Sequence, residues 1–277
     1  MFTILQKREI APNTHEVVIE APHVVKKARP GQYVVVMADE ASERVPYTLC
    51  DWDAEAGSIT LVVLEVGRSS RKLVLMKAGD RVAHVLGHLG IPVEIKRYGT
   101  VVLTAGCYGI GAILSIAKAM KGAGNHVVSI VEARSSSLHY YKEKLEGASD
   151  EVIQTTIDGS RVFRGHAMDV LAEKLRHGEA LDLVFAVGCP FMMMLTGRET
   201  APHGVRTLVA LNPIMVDATG MCGACRVSVG GAIKFACVDG PFFDAQQVDW
   251  DELWARRAAY RDEETHSVEQ TGSVYHG

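Results

Sequence analysis

The sequence lacks the features that define several common classes of protein. No apolar run reaches the ~18 residues that a membrane-spanning helix needs. The start, MFTILQKREI, has no basic stretch followed by an apolar one, so we expect no signal peptide. The net charge of −4 excludes the basic field of a nucleic-acid-binding protein, and short basic pairs such as Arg256-Arg257 are interpreted as solvated faces.

Cysteines are few, and their placement argues against a secreted disulfide framework. Three of the six, Cys50, Cys107 and Cys189, lie far apart in apolar contexts that resemble strands. The other three lie close together near the C-terminus. This pattern is typical of a reducing compartment with a metal site, so we expect a cytoplasmic protein. The sequence also contains no Ser–His–Asp or Cys–His pattern that would predict a nucleophile, and no residue is assigned as catalytic.

The composition, 48% hydrophobic and 22% charged, is that of a globular protein, and 277 residues suffice for two domains. The first hundred residues are short β-branched segments separated by turn signals such as Pro30-Gly31 and Gly79-Asp80. No long helical pattern interrupts them. They predict an antiparallel barrel or sandwich over residues 1–97.

The pattern changes at residue 98, where apolar strands begin to alternate with segments of helical spacing. This alternation predicts a parallel α/β domain over residues 98–210. The cysteine segment occupies residues 211–248. An amphipathic stretch at 249–264 then predicts a helix, followed by a tail to residue 277.

A glycine-rich turn follows the first strand of the predicted α/β domain. In AGCYGIGA, Gly106, Gly109 and Gly111 would let the backbone approach a diphosphate at the start of a helix. The spacing differs from the usual dinucleotide fingerprint, and a tight turn without a ligand is the alternative.

Two further positions belong to the same predicted edge. Glu132 ends the second strand, where an acid could accept hydrogen bonds from ribose hydroxyls and favour NAD(H) over NADP(H). A solvent-facing glutamate is the alternative. Gly188, Cys189 and Pro190 end another apolar strand, and the carboxyl ends of parallel strands meet at one edge of a sheet.

Two turns of the β region combine basic, hydroxyl and aromatic groups. In RVPYTLCD, Arg44 could hold a diphosphate, Tyr47 offers an aromatic face, and Thr48 could hydrogen-bond a flavin edge. In VGRSSRKL, Gly67, Ser69 and Ser70 could form a second phosphate-binding turn. Ordinary loop chemistry remains the alternative for each turn taken singly.

The segment VDATGMCGACRVSV carries the most specific pattern. Cys222 and Cys225 form a C-x2-C motif, and Cys237 follows, which is a spacing typical of metal ligands. Asp217 stands five residues before Cys222. It is either the fourth ligand or a turn residue, and a structural zinc site is the alternative to an iron–sulfur cluster.

Taken together, PGQY, RVPYT, GRSSRKL, GHLG, GCYGIGA and VGCPFMM resemble the ferredoxin–NADP reductase-like flavoproteins. With the cysteine segment, residues 1 to about 250 resemble the small subunit of NADH-dependent reduced ferredoxin:NADP⁺ oxidoreductase. The sulfide dehydrogenase small subunit and the dihydroorotate dehydrogenase electron-transfer subunit are similar. The resemblance implies an antiparallel FAD-binding β-barrel, a Rossmann-like NAD-binding domain and a small C-terminal [2Fe–2S] segment.

The resemblance also implies a cofactor assignment. A [2Fe–2S] cluster would be held by Asp217, Cys222, Cys225 and Cys237, because Asp217 replaces the first cysteine of the related C-x4-C-x2-C motif. FAD would lie at Arg44, Pro46, Tyr47, Thr48, Gly67, Ser69 and Ser70, and NAD(H) at Gly106, Gly109, Gly111, Glu132, Gly188, Cys189 and Pro190.

The implied activity is electron transfer between NADH, FAD and the cluster. The implied partner is a larger glutamate-synthase-like flavoprotein with [4Fe–4S] clusters, in an electron-bifurcating complex. A sulfide or dihydroorotate dehydrogenase subunit is the closer alternative. A non-catalytic, nucleotide-sensing docking subunit with a zinc site is the alternative of another class.

Overall fold

Two antiparallel sheets near the N-terminus face each other across one apolar core. The computed structural model describes residues 1–161 and 163–271. One sheet has the order β5-β6-β2-β1-β7 and the other β4-β3-β8. The strands are β1 Phe2–Ala11, β2 Thr14–Glu20, β3 Tyr33–Met37, β4 Val45–Thr48, β5 Asp51–Asp53, β6 Ser58–Leu64, β7 Arg81–Val82 and β8 His84–Leu89, with helices α1 Pro22–Val25 and α2 Arg68–Leu75.

Alternation along these strands builds the barrel core. On β3, Val34 and Val36 point inward to Ile4, Ile59 and Leu61, all of them nearly or fully buried. Successive side chains of a strand point to opposite faces, so Tyr33 and Val35 face outward from this core. They do not meet solvent, however, because the C-terminal segment covers them.

The second region is a parallel sheet with helices on both faces. Its order is β12-β11-β10-β9-β13-β14. The elements are β9 Thr100–Gly106, α3 Gly109–Ala112, α4 Leu114–Gly122, β10 His126–Ala133, α5 Lys142–Ala148, β11 Glu151–Thr156, β12 Phe163–Arg164, α6 Ala167–Arg176, β13 Leu183–Val187, α7 Pro190–Thr200 and β14 Thr207–Ala210, with 3₁₀ turns at Ser136–Leu138 and Ala201–His203. The strand order reverses between β9 and β13, which is where open α/β sheets bind their ligands.

The C-terminal region is attached to both earlier regions. It contains the hairpin β15 Arg226–Val229 and β16 Ala232–Phe235, then α8 Ala236–Asp239 and β17 Phe242–Asp244. β17 pairs antiparallel with β14 and so extends the α/β sheet. The hairpin turn is Gly230-Gly231, both with positive φ, as a two-residue turn between twisted strands requires.

The predicted C-terminal helix is divided into two. α9 Trp250–Arg257 is followed by a 3₁₀ turn, Ala258–Tyr260, and α10 Arg261–Thr271. Leu253 is the buried residue of α9, whereas Trp254 is 38% exposed. The part of the predicted tail after residue 271 lies outside the described residues. None of the helices in residues 1–161 and 163–271 has the length and apolarity needed to cross a membrane.

Hydrogen bonds and ion pairs join the barrel to the α/β region. Ser115 of α4 donates to the Leu49 carbonyl at 3.1 Å, and Lys118 pairs with Asp51. Glu16 of β2, only 4% exposed, accepts from Tyr141, the N-cap of α5, and from Lys144 of α5. The predicted boundaries 1–97, 98–210, 211–248 and 249–277 stay predictions, and a shared sheet crosses the one at 210.

Candidate redox site

The two predicted nucleotide loops meet at the switch point of the sheet. A β-carbon on Gly188 would lie 3.2 Å from both the backbone nitrogen and the carbonyl oxygen of Gly106. Met192 of α7 packs against both glycines. The inference from strand order therefore agrees with the geometry, and a side chain at Gly188 would crowd the Gly106 backbone.

The other two glycines of the turn have packing reasons of their own. A β-carbon on Gly109 would lie 2.0 Å from the Val187 carbonyl oxygen, and one on Gly111 would lie 2.5 Å from a methyl of Val62 in the barrel. Gly109 thus lets α3 approach β13, and Gly111 lets α3 approach β6. Their presence is explained by contact within the protein, whether or not a diphosphate also binds there.

Tyr108 anchors the same turn through its side chain. Its hydroxyl donates to the Gly188 carbonyl at 2.9 Å and accepts from the Asn212 amide. Burial raises the pKa of Tyr108 to about 12, so the hydroxyl stays protonated at neutral pH. Cys107 before it has a left-handed φ of 52°, and the Tyr140 hydroxyl donates to the Cys107 carbonyl at 2.8 Å.

The remaining predicted nucleotide residues lie at the same edge with differing partners. The Glu132 carboxylate accepts from the Ala167 N–H at 2.8 Å and approaches the His166 ring at 3.3 Å, so it caps the N-terminus of α6. Cys189 is the N-cap of α7, its sulfur accepting from the Met192 N–H at 3.4 Å, and Pro190 is the first residue of that helix.

The flavin residues predicted on β4 divide between its two faces. Thr48 is paired with Tyr33, and Pro46 with Val35, so these four side chains share the outer face of the barrel. Tyr47 points the other way, packs against the barrel core, and buries a hydroxyl for which the described residues provide no partner. Of the predicted flavin residues on β4, Thr48 and Pro46 lie half-buried on the outer face.

The second predicted flavin turn opens α2. Gly67 is the N-cap, with open space where a side chain would lie. The Ser70 hydroxyl accepts from the N–H groups of Val66 and Gly67, and Ser69 donates to Glu43 at 2.8 Å. Arg44 follows Glu43 in the chain and is exposed. The open N-terminus and this arginine suit a phosphate.

The four predicted metal ligands lie close together in two pairs. Asp217 is near enough to Cys222 for the thiol to help lower the pKa of Asp217, and Cys225 is near enough to Cys237 to help raise the pKa of Cys237. Left-handed residues Ala218, Gly220 and Gly223 fold the connecting loop. Within residues 1–161 and 163–271, no three His, Cys, Asp or Glu side chains already surround one point as a mononuclear ion requires.

The chemistry of this donor set fits a cluster with two irons. Two ligands for each iron is the arrangement of a [2Fe–2S] centre, and thiolates are its usual donors. Hydrogen bonding from the Thr219 N–H lowers the pKa of Asp217, so the carboxylate is ionised at neutral pH. Burial raises the pKa of Cys237 to about 12, so this thiol needs a cation beside it to ionise.

Residues that the sequence left unassigned hold this segment in place. Tyr33, 3% exposed, donates to the Cys237 carbonyl at 2.9 Å. Arg256 of α9 donates to the Ala224 carbonyl at 3.0 Å, and Arg257 donates to the carbonyl and side-chain oxygens of Asn212. The interpretation of Arg256-Arg257 as a solvated face is therefore wrong. The PGQY motif could have drawn attention to Tyr33, but nothing local distinguishes the two arginines.

Comparison with known proteins agrees with this architecture. The profile of the iron–sulfur cluster binding domain of dihydroorotate dehydrogenase B matches residues 212–249. A Thermotoga maritima protein, a homolog of the dihydroorotate dehydrogenase B (NAD(+)) electron transfer subunit, is 44% identical over 96% of this chain and 94% of its own. The chain belongs to this family of electron transfer subunits.

Solved structures extend the comparison to the whole fold. One, of the NADH-dependent reduced ferredoxin-NADP oxidoreductase, concerns flavin-based electron bifurcation; it is 41% identical, covers 99% of this chain and 98% of its own, and has a TM-score of 0.92. An Amycolatopsis cytochrome P450 reductase, 20% identical over 74% of this chain and 68% of its own, shares the fold with a TM-score of 0.61. The predicted family, fold class and oxidoreductase class are confirmed.

Proposed function

We propose that this chain is the electron-transfer flavoprotein subunit of a heteromeric oxidoreductase, working between NAD(H), FAD and a [2Fe–2S] cluster. The observation that carries the proposal is the position of the four ligands. Cys225 and Cys237 lie in the same apolar cluster as Tyr33 and Val35, on the barrel face that also presents Thr48 and Pro46. A flavin on that face and a cluster on those ligands would be neighbours.

When bound, FAD exchanges hydride with nicotinamide and single electrons with an iron–sulfur cluster. The protein's task is to orient and to exclude water. Thr48 offers a hydroxyl to a polar flavin edge, and Arg44 with the α2 N-terminus neutralises the diphosphate. Gly106 and Gly188 let the two loops come together at the switch point, where NAD(H) would meet the flavin.

Cofactor analysis of the anaerobically purified protein tests this proposal. We expect flavin, iron and acid-labile sulfide, with an EPR signal on reduction by NADH. Zinc without iron, together with the absence of flavin absorbance, would falsify it and favour the docking subunit with a structural zinc site. Asp217→Ala, Cys225→Ala and Cys237→Ala should each lower the iron content while leaving the flavin bound.

For the partner, we propose a larger glutamate-synthase-like flavoprotein with [4Fe–4S] clusters, in a cytoplasmic complex coupling NADH, NADPH and ferredoxin by electron bifurcation. Support comes from the 41%-identical structure, which matches nearly the whole chain and concerns that chemistry. A dihydroorotate dehydrogenase complex is the second candidate, favoured by the name of the Thermotoga relative. A sulfide dehydrogenase complex is the remaining alternative.

The chain that co-purifies from the native organism decides between these partners. A partner that oxidises NADPH and reduces ferredoxin supports the bifurcating complex. A partner that oxidises dihydroorotate and passes the electrons to this subunit supports the second candidate.

A further inference from the structure

Tyr33 lies where the barrel, the α/β region and the cluster segment meet. It is 3% exposed, and it belongs to an apolar core that also contains Ala186 and Met192 from the α/β region and Leu211, Cys225 and Cys237 from the cluster segment. A buried residue that belongs to one region and packs on two others fixes their relative position.

The two ends of Tyr33 reach different parts of the proposed relay. Its backbone on β3 is paired with Thr48 of β4, so its side chain leaves the sheet on the face proposed for the flavin. Its hydroxyl donates to the carbonyl of Cys237, 204 residues away, at 2.9 Å in a buried setting. One side chain thus spans from the flavin-facing strand to the backbone of a cluster ligand.

We propose that Tyr33 is a positioning residue that fixes the cluster relative to the flavin, through its hydrogen bond to Cys237. This inference rests on the proposed function and deepens it. The Tyr33 hydroxyl bonds to the carbonyl of Cys237 rather than to a ligand sulfur. It acts through the main chain of a ligand, and hydrogen bonding around the ligands is one of the means by which proteins set the properties of such clusters.

The chain offers a matched control for removing this hydroxyl. Tyr47 lies on the neighbouring strand, is also directed into apolar surroundings, and buries a hydroxyl without a partner among the described residues. Tyr33→Phe and Tyr47→Phe therefore delete the same atom from the same sheet. Only Tyr33→Phe removes a hydrogen-bond donor from the carbonyl of a predicted cluster ligand, Cys237.

The test compares the two variants in the intact complex. Separate samples are reduced by dithionite, to record the EPR spectrum, and by NADH, to follow the rate of cluster reduction. For Tyr33→Phe we expect altered g-values and reduction potential of the cluster, and slower cluster reduction by NADH, by about five-fold, as for one lost buried hydrogen bond. Flavin content should not change. For Tyr47→Phe all of these should match the wild type.

Several results would overturn the proposal. It is overturned if Tyr33→Phe matches Tyr47→Phe in g-values, potential and rate. It is also overturned if Tyr33→Phe loses flavin and cluster together, as a general folding defect would cause. Val35→Ala, beside Tyr33 on the same face, serves as a packing control, and an equal shift in that variant also overturns the proposal. Loss of the cluster alone in Tyr33→Phe supports it. A wild-type protein without iron and flavin instead refutes the proposed function.

Discussion

Asp217 differs chemically from the three thiols with which it is grouped. A carboxylate is a harder ligand than a thiolate and donates less electron density to iron. In the structure it contacts Cys222 and accepts from the Thr219 N–H at 2.9 Å, so it is at once a turn residue and a neighbour of a predicted ligand. These two roles are compatible, and only substitution separates them.

We expect Asp217→Cys to retain a cluster but to change its reduction potential and its EPR signal, because one oxygen donor becomes sulfur. The measurement is a redox titration followed by EPR. Asp251→Cys, an exposed acid in the first turn of α9, is the control. An Asp217→Cys signal identical to the wild type would return Asp217 to the role of a turn residue alone.

Gly109 and Gly122 give opposite predictions for the same substitution. Gly109→Ala brings a β-carbon within 2.0 Å of the Val187 carbonyl oxygen, and a backbone atom cannot move aside. We expect a loss of stability of roughly 3 kcal/mol and weaker NADH binding. Gly122→Ala, at the end of α4 in open space, should stabilise by roughly 0.4–1 kcal/mol. Thermal unfolding of both variants checks this, and equal midpoints would contradict the packing argument.

At the scale of elements, α9 holds two sites through adjacent residues. Arg256 donates to the loop between Cys222 and Cys225, whereas Arg257 donates to Asn212, whose amide donates to the Tyr108 hydroxyl at the nucleotide edge. The two arginines therefore act on different parts of the site from one helix. Burial of Leu253 on the same helix, at 1% exposure, anchors it against β15.

We expect Arg256→Met and Arg257→Met to have separate effects. Loss of a charged hydrogen bond costs roughly 1.5 kcal/mol, so Arg256→Met should release iron to a chelator about ten-fold faster, with little change in the KM for NADH. Arg257→Met should raise that KM and leave iron release nearly unchanged. Each variant is the control for the other. The same two effects in both variants would mean that α9 acts as one packing unit.

At the scale of the whole molecule, Glu16 links the barrel to the α/β region. It lies 2.9 Å from Arg8 on its own sheet and 2.6 Å from Lys144 on α5, and it accepts from the Tyr141 hydroxyl. Burial alone would raise the pKa of Glu16. Hydrogen bonds from Lys144, Tyr141 and Arg8 outweigh that effect, and the pKa is lowered.

A lowered folded-state pKa determines the direction of the pH dependence. The stabilisation is complete above the ordinary pKa of a glutamate and is lost as the pH falls through the lowered value. At neutral pH we expect Glu16→Gln to cost roughly 1–3 kcal/mol, since Lys144 and Arg8 remain partly solvated. The difference in unfolding midpoint from the wild type should shrink in acid. Glu20→Gln, exposed on the same strand, is the control, and a difference independent of pH would count against this account.

How much could be predicted from the sequence depends on the range of the interaction. The strands of the barrel and the alternation of the α/β region follow from local periodicity, and both were predicted. The C-x2-C spacing and Asp217 pointed to a metal segment, and the family comparison agrees. By contrast, the sequence does not show which residues of β4 share a face. Tyr47 was therefore predicted together with Thr48, although Tyr47 points into the barrel core.

The sequence by itself determined the family, the order of the three regions and the candidate ligands, because periodicity and short spacing are local properties of a chain. The tertiary structure decided which residues distant in sequence contact each other. It brought Tyr33 to Cys237, assigned Gly109 and Gly111 to packing, and used Glu132 as a cap for α6. These are contacts between residues distant in sequence, and the free energy that selects them comes from burial of surfaces that exist only once the chain has folded.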